Sequence, residues 1–200
     1  MNTEPILILA SGSPRRQQLL RDAGFSFVVK PSHAEEDFPE DMPAHAVPLY
    51  LAEKKAMAFA EELMSSDEII ITADTVVILS GRVMNKPADK PEAVRMLAAL
   101  SGHTHEVVTG VCLRSLQNML SFSELSMVTF RELNIKEIEY YIDNYSPFDK
   151  AGAYGAQDWM GMIGVERIEG SYYNVMGLPI HRVYTELNNM IAQLKAGFAK

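Results

Sequence analysis

Cysteine is almost absent: Cys112 is the one thiol among 200 residues. That excludes an internal disulfide framework and any zinc site built on cysteines. Cys112 lies in an apolar, strand-like run, where a small buried core residue is the expected role. Long apolar runs are missing too. No window approaches the roughly 20 residues that cross a bilayer, and the N-terminus has no basic stretch followed by a long apolar one. A soluble, cytoplasmic protein with no membrane partner is the expectation. Positive charge is scarce, with 18 Lys and Arg against 26 Asp and Glu, a net charge of -8. A nucleic-acid surface needs a basic footprint, so no nucleic-acid partner is expected. An anionic ligand would need a local cluster of cations on this acidic background. There is no GxxxxGK[ST] loop and no G-x-G-x-x-G after the first apolar run, which argues against a P-loop ATPase and a dinucleotide fold. His103 and His105 share a strand face by spacing, but with no third ligand evident a histidine metal site is not expected.

What is present suits one compact domain over residues 1–200, with two lobes allowed, since 48% of the residues are hydrophobic. The apolar run Ile6-Leu7-Ile8-Leu9-Ala10 reads as a strand. It leads through Ser11-Gly12-Ser13 into a helix with Pro14 in its first turn and Gly24 at its end. Two hydroxyls, Arg15, Arg16 and the N–H groups of a helix start fall within six residues. Such a place attracts phosphate, although spacing alone leaves open that Ser13 only caps the helix and the arginines are solvated. A second strand is expected over residues 25–29. An acidic loop with Glu35, Glu36 and Asp37 follows, either solvated or a carboxylate cluster for a divalent ion.

Residues 46–63 carry Leu49, Ala52, Ala56, Phe59, Ala60 and Leu63 at helical spacing. On that wheel Lys54 points almost opposite the apolar stripe and Lys55 falls at its edge. From the edge a long stem can lie along apolar surface and deliver its ammonium into a cleft. Residues 68–79 are the strongest strand signal, apolar on both faces as in a central strand. Asp74 sits in the middle of it. A buried carboxylate costs several kcal/mol unless it is paired, hydrogen-bonded or metal-bound, so a working role for Asp74 is expected. A turn at Ser80-Gly81-Arg82 and a return through Lys86-Pro87 come next. A helix from Pro91 to about Leu100, strands over 105–113 and 121–130, and an amphipathic helix over 136–145 follow. The small-residue run over 148–158, with Lys150 and Gln157, suits close approach to a ligand, or is a loop of structural glycines. A strand over 162–168, a turn over 169–174, a helix from Ile180 to about Leu194 and a frayed tail complete the chain.

The residues alone support an acidic α/β protein acting on a small phosphorylated ligand with metal help. Five blocks then resemble the Maf family of nucleoside triphosphate pyrophosphatases, in the family's order. They are Leu9-Ala10-Ser11-Gly12-Ser13-Pro14-Arg15-Arg16, Ala73-Asp74-Thr75-Val76-Val77, Asn85-Lys86-Pro87, Ser101-Gly102-His103 with Val108-Thr109-Gly110-Val111, and Asp149-Lys150-Ala151-Gly152-Ala153-Tyr154-Gly155. The resemblance implies a two-lobed, inosine-triphosphatase-like α/β fold with a long central mixed sheet flanked by helices, a nucleotide cleft, and a homodimer. It implies hydrolysis to a nucleoside monophosphate and pyrophosphate with Mg²⁺ or Mn²⁺. By position it makes Asp74 the proton acceptor and, with Glu36, the metal ligand, and it puts Ser13, Arg16, Lys55 and Lys86 around the triphosphate. Arg15, Thr75 and Gln157 resemble the dTTP/UTP subgroup rather than the group acting on 7-methyl-GTP. The family usually has glycine where Asn85 stands, and Asp158-Trp159 after Gln157 is less typical. A nucleotide-binding regulator of septum formation is the alternative from another class. A pyrophosphatase for 7-methyl-GTP or for a non-canonical purine triphosphate is a further one.

Overall fold

A strand apolar on both faces must have neighbours that bury both, and this requirement organises the chain around its longest apolar run. In the computed structural model, which describes residues 4–59, 65 and 67–198, that run is β3 (Glu68–Leu79) and is buried along most of its length. The other strands are β1 (Ile6–Leu9), β2 (Val28–Val29), β4 (Arg82–Met84), β5 (Thr104–Arg114), β6 (Met119–Phe130) and β7 (Val165–Glu169). They are hydrogen-bonded in the order β2-β1-β3-β5-β6-β7, with β4 also pairing β3. β1 is parallel to β2 and β3, while β4 and β7 are antiparallel to their partners, so the sheet is mixed. The helices are α1 (Pro14–Asp22), α2 (Val47–Met57), α3 (Lys90–Leu100), α4 (Ile135–Tyr145), α5 (Trp159–Gly164), α6 (Tyr172–Val175) and α7 (Ile180–Phe198). The fold is α/β. Among the described residues no helix is long and apolar enough to cross a membrane.

The chain forms two compact units. Unit 1 comprises Met1–Asp74, Thr109–Ser123 and Gly177–Lys200, and unit 2 comprises Thr75–Val108 and Glu124–Met176. In unit 1, Ile8, Ala10, Phe59 and Ile70 form one buried cluster, and Ala52, Ala56 and Cys112 another. Burial pushes the Cys112 thiol up to about 12, as suits a core residue and not a nucleophile. Helix α2 lies on β5 at Gly110. A Cβ there would fall 2.4 Å from Leu49 N and from the Pro48 carbonyl atoms. Gly110→Ala should therefore push the first turn of α2 off β5. The expected loss is about 1–3 kcal/mol of stability, read as a lower urea midpoint at an unchanged slope.

Unit 2 packs Leu97, Leu100, Phe130, Tyr141, Tyr154 and Met160 into one core. Helix α4 begins with a capping box, Asn134 accepting from Glu137 N–H while the Glu137 carboxylate accepts from Asn134 N–H. His105 is buried, with Nε2 2.7 Å from the Tyr154 hydroxyl and the imidazole edge-on to Phe130 and Tyr154. Burial pulls its pKa down from 6.5 to about 4. The unfolded chain then binds the extra proton first, so stability is fully present above pH 6.5 and falls as the pH drops toward 4. The loss across that window is about 3 kcal/mol. Denaturant titrations at pH 7 and pH 4.5 of the wild type and His105→Phe check it, the variant showing the smaller difference.

Five local expectations change. Residues 25–27 do not join β2, because Phe25 N–H bonds back to Leu20 O at the end of α1. Helix α2 stops at Met57, where Phe59 N–H closes a tighter turn onto Ala56 O; the expected continuation through Ala60 and Leu63 lies outside the described residues. Residues 162–164 are helical rather than extended. Met160 and Gly164, four apart, are both buried on one side of α5, and a Cβ at Gly161 would overlap the Ala156 carbonyl. The expected turn over 169–174 contains α6, capped by Ser171 Oγ. At the C-terminus α7 runs on to Phe198 in place of a tail fraying from Lys195, whose ammonium reaches Glu4 Oε1 at 2.5 Å.

Candidate active site

The site in unit 1 starts where β1 ends. Ala10 N–H donates to Ile71 O at 2.9 Å, the last rung after the parallel register Leu9↔Ile71. Beyond that rung the Ala73 carbonyl accepts from Arg16 Nη1 at 2.8 Å. Arg16 Nε donates to Gly177 O at 2.8 Å, and Nη1 also lies 3.4 Å from Ser11 Oγ. The guanidinium thus holds the loop after β1 against β3 and the start of the C-terminal segment. Burial pulls the Arg16 pKa down and Arg15 adds to this, while Asp74 and Glu36 pull it up. Ser13 stands at the N-cap of α1 in extended backbone with Pro14 at the first helical position, yet its hydroxyl makes no cap bond. The expected capping role is therefore not its own. The hydroxyl that folds this loop is Ser11, which accepts from Ser13 N–H at 3.3 Å. Nothing in the spacing separates Ser11 from Ser13; only the position of Arg16 does. Arg15 is half-buried beside it.

Asp74 follows Ala73 in β3 and is buried. Its Oδ1 accepts from Lys55 Nζ at 2.6 Å, and the same ammonium reaches Glu36 Oε1 at 2.7 Å. Lys55 is only 8% exposed, at the buried edge of α2 that the helical wheel predicts. Its neighbour Lys54 pairs with the exposed Asp37 carboxylate, on the solvated side. A single cation therefore sits between one buried and one half-exposed carboxylate, a few bonds from Arg16. The acidic loop is not merely solvated: Glu36 reaches the core strand through Lys55.

The remaining expected residues belong to unit 2. Thr75 is half-buried in β3, immediately after Asp74. Lys86 is exposed, and the buried Pro87 after it holds the chain extended. Gln157 is half-buried in a turn closed by Asp158 N–H donating to Gly155 O at 3.1 Å. Lys150, expected to offer a polar contact, is ion-paired to Asp149 Oδ1 at 2.8 Å and to Asp158 Oδ2 at 3.6 Å. So the structure joins Glu36, Lys55 and Asp74 by direct bonds and brings Arg16 within electrostatic reach of both carboxylates, while Thr75, Lys86 and Gln157 are placed in unit 2.

The donor set can be tested against a divalent cation. Among the described residues no group of three or more His, Cys, Asp and Glu forms a metal cage. Mg²⁺ seldom needs one: it is commonly held by one or two carboxylates plus substrate phosphates. Glu36 and Asp74 are two hard oxygen donors that already converge on one positive charge, and that pair fits such a cation.

Comparison with known proteins adds an independent line. A family model described as "Maf-like protein" matches residues 6–190. A dTTP/UTP pyrophosphatase of Phocaeicola vulgatus is 52% identical over 185 residues, covering 92% of this chain and 95% of that protein. One from Porphyromonas gingivalis is 50% identical, with 92% and 93% covered, and one from Parabacteroides distasonis is 48% identical, with 92% and 95% covered. Among solved structures, a HAM1 protein from Coxiella burnetii superposes with a TM-score of 0.39 at 15% identity over 63% of this chain and 73% of that one. That likeness is too slight to add to the family.

Proposed function

The chain belongs to the Maf family, and from that premise we propose that it hydrolyses dTTP and UTP to the nucleoside monophosphate and pyrophosphate. The observation that carries this reading is the buried Asp74 carboxylate, held 2.6 Å from Lys55 Nζ on a core strand. A carboxylate kept in such a place by a partnered cation is suited to take the proton of a water attacking the α-phosphorus. The water oxygen forms the new P–O bond, the bond to the bridging oxygen breaks, and pyrophosphate departs with the electron pair. Positive charge for the phosphates comes from Arg16 and Lys55, with the N–H groups of the first turn of α1. Glu36 and Asp74 would hold Mg²⁺ or Mn²⁺. Such an ion neutralises charge on the phosphoryl oxygens when bound.

The other roles follow the family resemblance. Ser13 and Lys86 contact the triphosphate, and Arg15, Thr75 and Gln157 select the pyrimidine. The family reading also makes the protein a homodimer in the cytoplasm. A nucleotide panel with Mg²⁺ tests the function, with pyrophosphate release from dTTP and UTP expected. Orthophosphate as the product would overturn the reaction, and a preference for 7-methyl-GTP would overturn the substrate. Chelation with EDTA should stop turnover, and added Mg²⁺ or Mn²⁺ should restore it.

A further inference from the structure

In unit 2 one carboxylate has given up the role its position offers. Asp158 occupies the N-cap of α5 in extended backbone, where aspartate ordinarily accepts from the first turn, yet its side chain makes no cap bond. Instead Asp158 Oδ2 accepts from the Tyr141 hydroxyl at 2.9 Å and lies 3.6 Å from Lys150 Nζ. The Tyr141 oxygen in turn accepts from Gly155 N–H at 3.1 Å. Together with the Asp158 N–H to Gly155 O bond at 3.1 Å, these contacts close a ring around the turn 155–158. Tyr141 is fully buried in α4, and burial and then Asp158 hold its hydroxyl protonated, far above its ordinary range. Gln157 is inside that ring. A Cβ on Gly155 would fall 2.6 Å from Asp158 Oδ2 and 2.9 Å from Gln157 Nε2, so both side chains fold over the bare face of this glycine.

We propose that Asp158, locked by Tyr141 and Lys150, is a positioning residue that fixes the Gln157 amide for recognition of a pyrimidine base. Neither side chain is placed in the chemistry at phosphorus. A planar amide discriminates hydrogen-bonding edges only when its orientation is fixed; the ring of bonds about Gly155 constrains the turn that carries Gln157, and the Asp158 carboxylate shares with the Gln157 amide the bare face of Gly155. This inference rests on the proposed dTTP/UTP activity and deepens it. The carboxylate could instead only brace the fold, and the two roles differ in what they change.

Steady-state kinetics of the full-length protein with dTTP, UTP and 7-methyl-GTP, beside thermal melts, separates them. Asp158→Asn keeps the shape but loses the charge that holds Lys150. Tyr141→Phe removes the hydroxyl between Asp158 and Gly155. Each should raise KM for dTTP and UTP by about tenfold, the worth of one well-placed hydrogen bond. The turnover number should stay near that of the wild type, and preference over 7-methyl-GTP should fall in proportion. Asp158→Glu should recover part of the loss. A lower melting temperature with unchanged KM ratios would overturn the positioning role, and so would a loss confined to kcat. A wild type that hydrolyses neither dTTP nor UTP would instead overturn the proposed function itself, and this inference with it.

Discussion

Asp74→Asn should lower the rate of pyrophosphate release from dTTP by about 10²–10⁴-fold, the usual contribution of a positioned general base. The amide has the size and shape of the carboxylate and still offers an oxygen to Lys55 Nζ, now 2.6 Å from Oδ1. Lys55 also keeps its bond to Glu36. The variant should therefore fold, and its far-ultraviolet dichroism and urea midpoint should stay close to those of the wild type. What it loses is the negative charge and the basic lone pair. Initial rates with saturating Mg²⁺ decide the matter: activity within a fewfold of the wild type would remove Asp74 from the chemistry. The same variant separates the regulatory alternative. If a septum phenotype is rescued by an inactive protein, nucleotide binding and not hydrolysis is what the cell uses.

The largest effect on stability should come from Lys55→Met. The side chain fits the same buried edge of α2, but the ammonium that bridges the two carboxylates is then gone. Removing one partner of a buried pair typically costs about 3–5 kcal/mol, because the charge left behind is neither hydrated nor neutralised. Asp74 is 9% exposed and carries most of that penalty, whereas half-exposed Glu36 can turn to water. Combining Lys55→Met with Asp74→Asn should recover much of the loss, since the uncompensated buried charge is gone. Urea denaturation of the two single variants and the double variant measures this coupling directly. Simple additivity would mean that the contact contributes little to folding.

The split between Lys54 and Lys55 was legible in advance, because helical phase depends only on the spacing of apolar residues. So was β3, from apolar residues on both faces, and with it the cost that marked Asp74. The strand expected over 162–168 was not, since a short apolar run fits a helix or a strand equally well. There the decision fell to Met160 and Gly164 packing on one side of α5. Arg16 was visible as a cation near a helix start, but its bonds to Ala73 O and Gly177 O were not. Any residue has a carbonyl, so those acceptors leave no mark in the sequence, and one of them lies 161 positions away. Asp158 read as an untypical neighbour of Gln157, with nothing to show that Tyr141 would claim its carboxylate.

The sequence by itself therefore determined the family, the long strands and helices such as β3 and α2, and the charges of Lys55 and Asp74 in apolar surroundings. These follow from composition, periodicity and local motifs, which act over a few residues at a time. Only the tertiary structure decided which partners those charges meet: Lys55 between Glu36 and Asp74, Arg16 on two backbone carbonyls, Ser11 rather than Ser13 folding the loop, Asp158 on Tyr141. Such pairings are set by close packing of segments far apart in the chain, at distances where a shift of one ångström makes or breaks a hydrogen bond.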